Sequence, residues 1–180
     1  MTSILKLYKT FLFRHPYLSQ SLQTGLLMGA GDIIAQTVVE KQPLKELNYK
    51  RTIQFFSVGT FFVGPALTVW YGVLHKYVGS GGKSVALKKV ALDQVCFAPV
   101  CLVAVLGCIK TLQGNTFEQT KREIKNTYCD ILIANYKLWP MVQVVNFYFV
   151  PLHYQVLLVQ IVALLWNTYL SYKTRPTKVD

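Results

Sequence analysis

The sequence predicts an all-α integral membrane protein with four transmembrane helices, and three observations predict it. Residues 138–172 form a run of thirty-five without one Asp, Glu, Lys or Arg. Three shorter windows are nearly as clean: 15–39 holds only Asp32, 52–75 holds no formal charge, and 90–109 holds only Asp93. Apolar residues make up 52% of the 180 positions and the mean hydropathy is +0.32, beyond that of an ordinary soluble domain. The length suits a single membrane domain, 1–180, with spans at about 17–39, 52–75, 90–109 and 139–172.

Taken in order, residues 1–16 carry Lys6, Lys9 and Arg14, no acid, and an apolar stripe of Ile4, Leu7, Tyr8 and Phe11. A mitochondrial address and an interfacial helix both require such a basic amphipathic segment, and the two readings are compatible. In the first span Ser21, Gly25, Gly29, Asp32 and Gln36 share one face at helical spacing. Gly25 and Gly29 form a G-x-x-x-G pair that lets a second helix approach closely. The second span repeats the device with Thr60, Gly64, Thr68 and Gly72, and Pro65 should kink it. The turn that follows, VGSGGKS at 78–84, imitates a phosphate loop. That pattern needs Gly where Tyr77 stands, and a buried strand before it, so the segment reads as a flexible basic loop.

The third span contains Asp93 and Pro99, the latter a second expected kink. Residues 116–136 are charged and amphipathic, with Phe117, Ile124, Tyr128, Ile131 and Leu132 on one side, and read as an interfacial helix leading into the last span. As one helix the last window would reach roughly 50 Å at about 1.5 Å per residue, so Pro151 is expected to break it. Beyond the break His153, Gln160, Asn167 and Ser171 fall within about 40 degrees of one another on a helical projection, a face built to meet something other than lipid. Trp139, Trp166, Tyr169 and Tyr172 read as markers of the headgroup level. Four spans place both termini on one side. Lys and Arg divide ten to nine between the two sides, which leaves the orientation open.

Asp32 and Asp93 are the formal charges inside the windows, and a carboxylate at membrane depth costs several kcal/mol unless paired, hydrated or protonated. One reading places them along a water-filled pathway with Gln36, Gln143 and Asn146. The other packs them: Asp93 against Lys89 one turn earlier, Asp32 as acceptor from a neighbouring helix. What Asp32 faces discriminates, since a hydrated path favours transport and a dry, fully bonded contact favours a structural role. His153 is either a pH-sensitive gate or a packing residue. No nucleophile sits beside a base at a telling spacing, so neither an enzyme nor a catalytic residue is expected. Cys96, Cys101, Cys108 and Cys129 form no C-x-x-C pair and no His stands at ligand spacing, so no metal or other cofactor is expected and the thiols read as packing residues. The net charge of +11 is gathered in short segments with no continuous basic face. Anionic lipid headgroups suit it better than direct nucleic-acid binding, and the small-residue stripes offer a route to a homo-oligomer.

The stretch from Trp139 to Pro151 reads WPMVQVVNFYFVP, and WNTYLS follows at Trp166–Ser171. Upstream stand HP at His15, GAGDIIAQ from Gly29, GP at Gly64, WYGVLHK from Trp70 and ALKKVALDQVCFAP from Ala86. Jointly these resemble the Mpv-seventeen and peroxisomal-membrane-protein family of small four-span organellar proteins. LMGAGDIIAQ and VPLHY look most like its mitochondrial branch. That resemblance implies a protein of the mitochondrial inner membrane, a channel for small solutes or ions, and a link to mitochondrial DNA maintenance; the other branch implies the peroxisomal membrane. Gln155 stands where the family often has Arg, so an anion-binding role for that arginine does not carry over. The leading expectation is therefore a small-solute channel, and the alternative is a non-conducting protein that organises inner-membrane complexes.

Overall fold

A computed structural model of the chain describes residues 14–79, 81–150 and 152–176, and of residues 16, 147 and 152–157 the backbone alone. Among the described residues there are five long helices and no strand. Helix α1 covers Pro16–Ile34 and runs on through a π turn, Ala35–Val39. A short 3₁₀ turn, Leu44–Glu46, leads to α2, Tyr49–Val78. Helices α3, Lys83–Leu112, α4, Phe117–Phe149, and α5, Leu152–Thr174, complete the bundle. By length and composition α2 and α3 are apolar enough to cross a membrane. The expected N-terminal segment lies outside the described residues up to position 13, as does Pro151. The long uncharged window is nevertheless two helices, α4 ending at Phe149 and α5 starting at Leu152.

Local chemistry sets these limits. Asn48 caps α2, its Oδ1 accepting from the Arg51 N–H at 3.0 Å. Thr116 and Gln119 form a reciprocal capping box at the start of α4. Gly79, Gly81 and Gly82 take positive φ between α2 and α3, where a Cβ would be strained, so the expected loop 78–84 is shorter than its sequence suggested and Lys83 and Ser84 already belong to α3.

Pro65 and Pro99 do not end their helices. A π turn, Gly59–Val63, precedes Gly64-Pro65, and another, Asp93–Phe97, precedes Ala98-Pro99. The Gly64 N–H reaches back five residues to the Gly59 carbonyl, and Ala98 does the same to Asp93. The wider turn accommodates the proline ring, which would strike the carbonyl four residues earlier in a regular α-helix. Pro140 sits inside α4, which continues past it.

Residues 116–136 and the start of the last window are one helix, and α4 lies antiparallel along the whole of α3. The register descends one side and climbs the other: Glu123 meets Lys110 at 3.3 Å, the Tyr128 hydroxyl donates to the Pro99 carbonyl at 3.3 Å, Asn135 Nδ2 donates to Gln94 at 2.6 Å, and Lys83 sits over the Tyr148 ring. Its charges face a partner or face outward. Asp130 pairs with Lys173, and Lys121 and Lys125 are exposed. Since α5 returns beside α4, the start of α1 and the end of α5 lie at opposite ends of the bundle, not at one.

Packing centres on α1, α2 and α5. A Cβ on Gly25 would meet the Thr60 side chain and the Phe56 carbonyl, one on Gly59 would lie 2.7 Å from the Gly25 Cα, and one on Gly64 would lie 2.5 Å from the Ser21 Cα. Gly29 faces Phe56 and Thr52 at ordinary contact distance. Gly72, expected in the same stripe, is exposed with nothing within 4 Å. Apolar packing continues through Met28, Phe55, Leu106, Ile109, Ile131 and Leu170. Trp166 belongs to this core, 9% exposed and edge-on to the partly buried Trp139 at 6.4 Å, so its ring faces protein.

Gly25→Leu should lower stability by at least about 2 kcal/mol through overpacking, while Gly72→Leu stays near wild type; thermal unfolding in detergent separates them. In the intact native membrane, tags placed before α1 and after α5 should become accessible to protease from opposite faces.

Candidate functional site

Asp32 organises the most densely bonded polar group of the bundle. It is fully buried in the last α-helical turn of α1, and three hydrogen bonds converge on it: Ser171 Oγ at 2.5 Å on Oδ1, Thr52 Oγ1 and Gln36 Nε2 each at 2.7 Å on Oδ2. Arg51 Nε lies 2.7 Å from Oδ1, an ionic contact whose N–H is not aligned as a hydrogen bond. A carboxylate has about four acceptor sites, and these contacts use them.

Arg51 ties the group together. Standing in the first turn of α2 and 4% exposed, it holds Glu40 in a fork, Nη1 to Oε2 at 3.0 Å and Nη2 to Oε1 at 2.7 Å, while Nη2 also donates to Ser171 Oγ at 2.7 Å. One guanidinium thus joins α1, α2 and α5, a task that its planar set of donors suits and an ammonium does not. Gln36, fully buried, closes the other side by accepting the Asn48 N–H at 2.7 Å. The π turn Ala35–Val39 follows directly, with the Glu40 N–H bonded to the Ala35 carbonyl, and carries the chain round to Glu40.

A second group lies between α2, α3 and α4. Trp70 Nε1 donates to Asp93 Oδ1 at 2.9 Å and Gln94 Nε2 to Asp93 Oδ2 at 3.0 Å, while Gln94 takes the bond from Asn135. The expected Asp93–Lys89 pair is not among the ion pairs of the described residues: Trp70 reaches the carboxylate from the neighbouring helix instead. The third group is Asn146, 3% exposed, whose amide donates to Gln143 at 3.4 Å. The five residues expected to line one pathway therefore fall into three groups. Asp32 and Gln36 share the first, in a dry contact, Asp93 belongs to the second, and Gln143 and Asn146 form the third.

The family model described as the Mpv17/PMP22 family matches residues 110–171. The mitochondrial inner membrane protein Mpv17 of Danio rerio is 47% identical over 96% of this chain and 98% of its own length. Mpv17 of Homo sapiens is 45% identical over 92% and 94%, and Protein SYM1 of Gibberella zeae 36% identical over 96% and 98%. The chain belongs to the Mpv17/PMP22 family. No solved structure matches it. This member of the Mpv17/PMP22 family is a protein of the mitochondrial inner membrane, as its relatives are named, and the peroxisomal alternative is set aside.

Within this family member, sequence reasoning missed Arg51, Glu40, Gln94, Asn135 and Trp70. Arg51 and Glu40 served only to bound the uncharged windows. The signal for them was Asp32 itself, since a buried carboxylate demands a cation and Arg51 opens the next helix. Ser171 did stand on the polar face of the last window, and that face meets α1: a Cβ on Gly31 would lie 2.7 Å from the Asn167 Cβ. The side chains of His153 and Gln155, on the same helix, lie outside the described residues.

Arg51→Met and Asp32→Asn should each destabilise by about 3–5 kcal/mol, because each leaves a buried partner uncompensated. The double variant should lose less than the sum, and a thermal double-mutant cycle measures the difference.

Proposed function

We propose that the chain is a non-catalytic, channel-like conductor of small solutes in the mitochondrial inner membrane, crossing it with α4 upright in the bundle. The observation that carries this reading is a line of neutral amides on α4. Asn135 and Asn146 are eleven residues apart, three helical turns, and so share a face; both are buried, Asn135 is bonded to Gln94, and Asn146 to Gln143. Amides at membrane depth are costly as lipid contacts, and where water enters beside them they line a path. A neutral lining discriminates weakly by charge and accepts small polar molecules and ions alike. Supply of such solutes is the route by which this activity would support mitochondrial DNA maintenance.

The role of Asp32 and Gln36 changes in this proposal. Fully buried and bonded to Thr52, Ser171 and Arg51, they are read here as fastening helices. The same burial favours a second reading, a non-conducting protein that organises inner-membrane complexes through its close-packed glycine faces, for polar side chains also join helices with no path between them.

Purified chain in a planar bilayer should give a conductance with little ion preference. Asn135→Asp should raise the cation-to-anion permeability ratio several-fold, whereas Asp32→Asn should lower thermal stability and leave selectivity unchanged. Silence from folded, inserted wild-type protein across a range of voltage and pH would move the assignment to the structural reading.

A further inference from the structure

Four side chains bond in sequence across α2, α3 and α4, and one of them fixes the direction of the bonds. Trp70 Nε1 donates to Asp93 Oδ1 at 2.9 Å, Gln94 Nε2 donates to Asp93 Oδ2 at 3.0 Å, and Asn135 Nδ2 donates to Gln94 Oε1 at 2.6 Å. An indole only donates and a carboxylate only accepts, whereas a primary amide does both. Asp93 therefore takes the NH2 of Gln94, which turns Gln94 Oε1 toward α4, and Oε1 takes the NH2 of Asn135. With no acceptor-only group at position 93 the two amides could bond the other way round, Gln94 Nε2 donating to Asn135 Oδ1.

The direction decides which end of the Asn135 amide is left over. Its Oδ1 accepts no bond among the described residues and is not one of the fully enclosed polar atoms, although the residue as a whole is only 5% exposed. Asn135 lies eighteen residues from the start of α4 at Phe117 and fourteen from its end at Phe149, roughly 27 Å and 21 Å at about 1.5 Å per residue. That is near the middle of a helix upright in the membrane, where acyl chains offer an oxygen no donor. The two ends of an amide select opposite chemistry: the oxygen receives cations and N–H or O–H groups, and the NH2 receives anions and other acceptors.

We infer, resting on the conducting reading for what reaches Oδ1, that Asp93 is a positioning residue of the path. Acting through Gln94, it turns Asn135 so that the amide oxygen and not the NH2 meets the solute. The middle of the path is then an acceptor site for small cations and for polar solutes that carry N–H or O–H groups. Asp93 works at one remove, since its two oxygens are taken by Trp70 and Gln94. One neutral oxygen gives a mild preference, in keeping with a lining that discriminates weakly by charge.

Magic-angle-spinning NMR of the isotope-labelled full chain in lipid bilayers at neutral pH tests the direction, through the scalar coupling between a donor nitrogen and the acceptor's carbonyl carbon. Wild type should couple Asn135 Nδ2 to the Gln94 side-chain carbonyl, and coupling of Gln94 Nε2 to the Asn135 side-chain carbonyl would overturn the assignment. Asp93→Asn, equal in size but carrying an NH2 of its own, should abolish the single direction; Asp93→Glu, larger but acceptor-only, should keep it. The opposite order, Asn tolerated and Glu not, is what packing alone requires and would refute the positioning role. If Asp93→Asn does not fold, Trp70→Phe decides: the carboxylate remains, so the coupling should persist, and its loss in folded protein would refute the role as well. In a planar bilayer under a potassium chloride gradient, wild type should favour cation over anion by about twofold, falling to about one in both Asp93→Asn and Gln94→Leu. A fall in Asp93→Asn alone would trace the preference to the charge and not to the amide, and would overturn the site. Silent wild-type protein that shows the expected coupling would remove the conducting reading and the solute site with it, while the turning of the amide by Asp93 would stand.

Discussion

A buried carboxylate in the last α-helical turn of α1 constrains the rest of this structure. Asp32 cannot be left charged in a low-dielectric interior, and Arg51 answers it from the next helix in sequence. That pairing fixes where α2 begins relative to the end of α1. With the register set, Gly25 falls against Gly59 and Ser21 against Gly64, and the helices approach until backbone meets backbone. Ser171 then places α5 on the same carboxylate, with Asn167 against Gly31 one turn earlier. Electrostatics chooses the register here, and close packing follows from it.

The prolines show how α2 and α3 remain single helices. Each divides in the same way: ten α-helical residues, a five-residue π turn, and fifteen more residues with proline second. The π turn moves the carbonyl that the proline ring would strike and leaves backbone polarity satisfied by a bond five residues back. In a membrane, where water cannot repair a broken turn, that is a cheaper solution than a break. Phe61 and Phe62 of the first π turn and Phe97 of the second line the outer groove.

How much of this was legible in the sequence depends on which signal a residue carried. The stripe Ser21, Gly25, Gly29 could be read because small residues at helical spacing have few other uses in an apolar window, and it packs on α2 as that reading requires. Gly72 continued the companion stripe by spacing alone, and a Cβ there meets nothing within 4 Å among the described residues. Helix α4 carries a charged face like that of an interfacial segment: Glu123 meets Lys110 on α3, while Asp130 and Lys173 pair at the surface. Arg51 could not be recognised while it served as a boundary marker. Its role depends on a contact across nineteen residues of sequence, and no local pattern encodes that.

The two carboxylates of the apolar windows obey one rule with opposite results. For Asp32 the chain supplies its own counter-charge, three further donors and complete burial, so the group is finished and its function is to hold three helices together. For Asp93 the chain supplies an indole and an amide, which orient the carboxylate without neutralising it, and places it behind an open aromatic wall. The two donors address different oxygens, Trp70 on Oδ1 and Gln94 on Oδ2, so a carboxylate satisfies both where the one oxygen and one NH2 of an Asn would not. In this protein one acid joins three helices through an arginine, and the other joins α2 to α3 through a neutral donor.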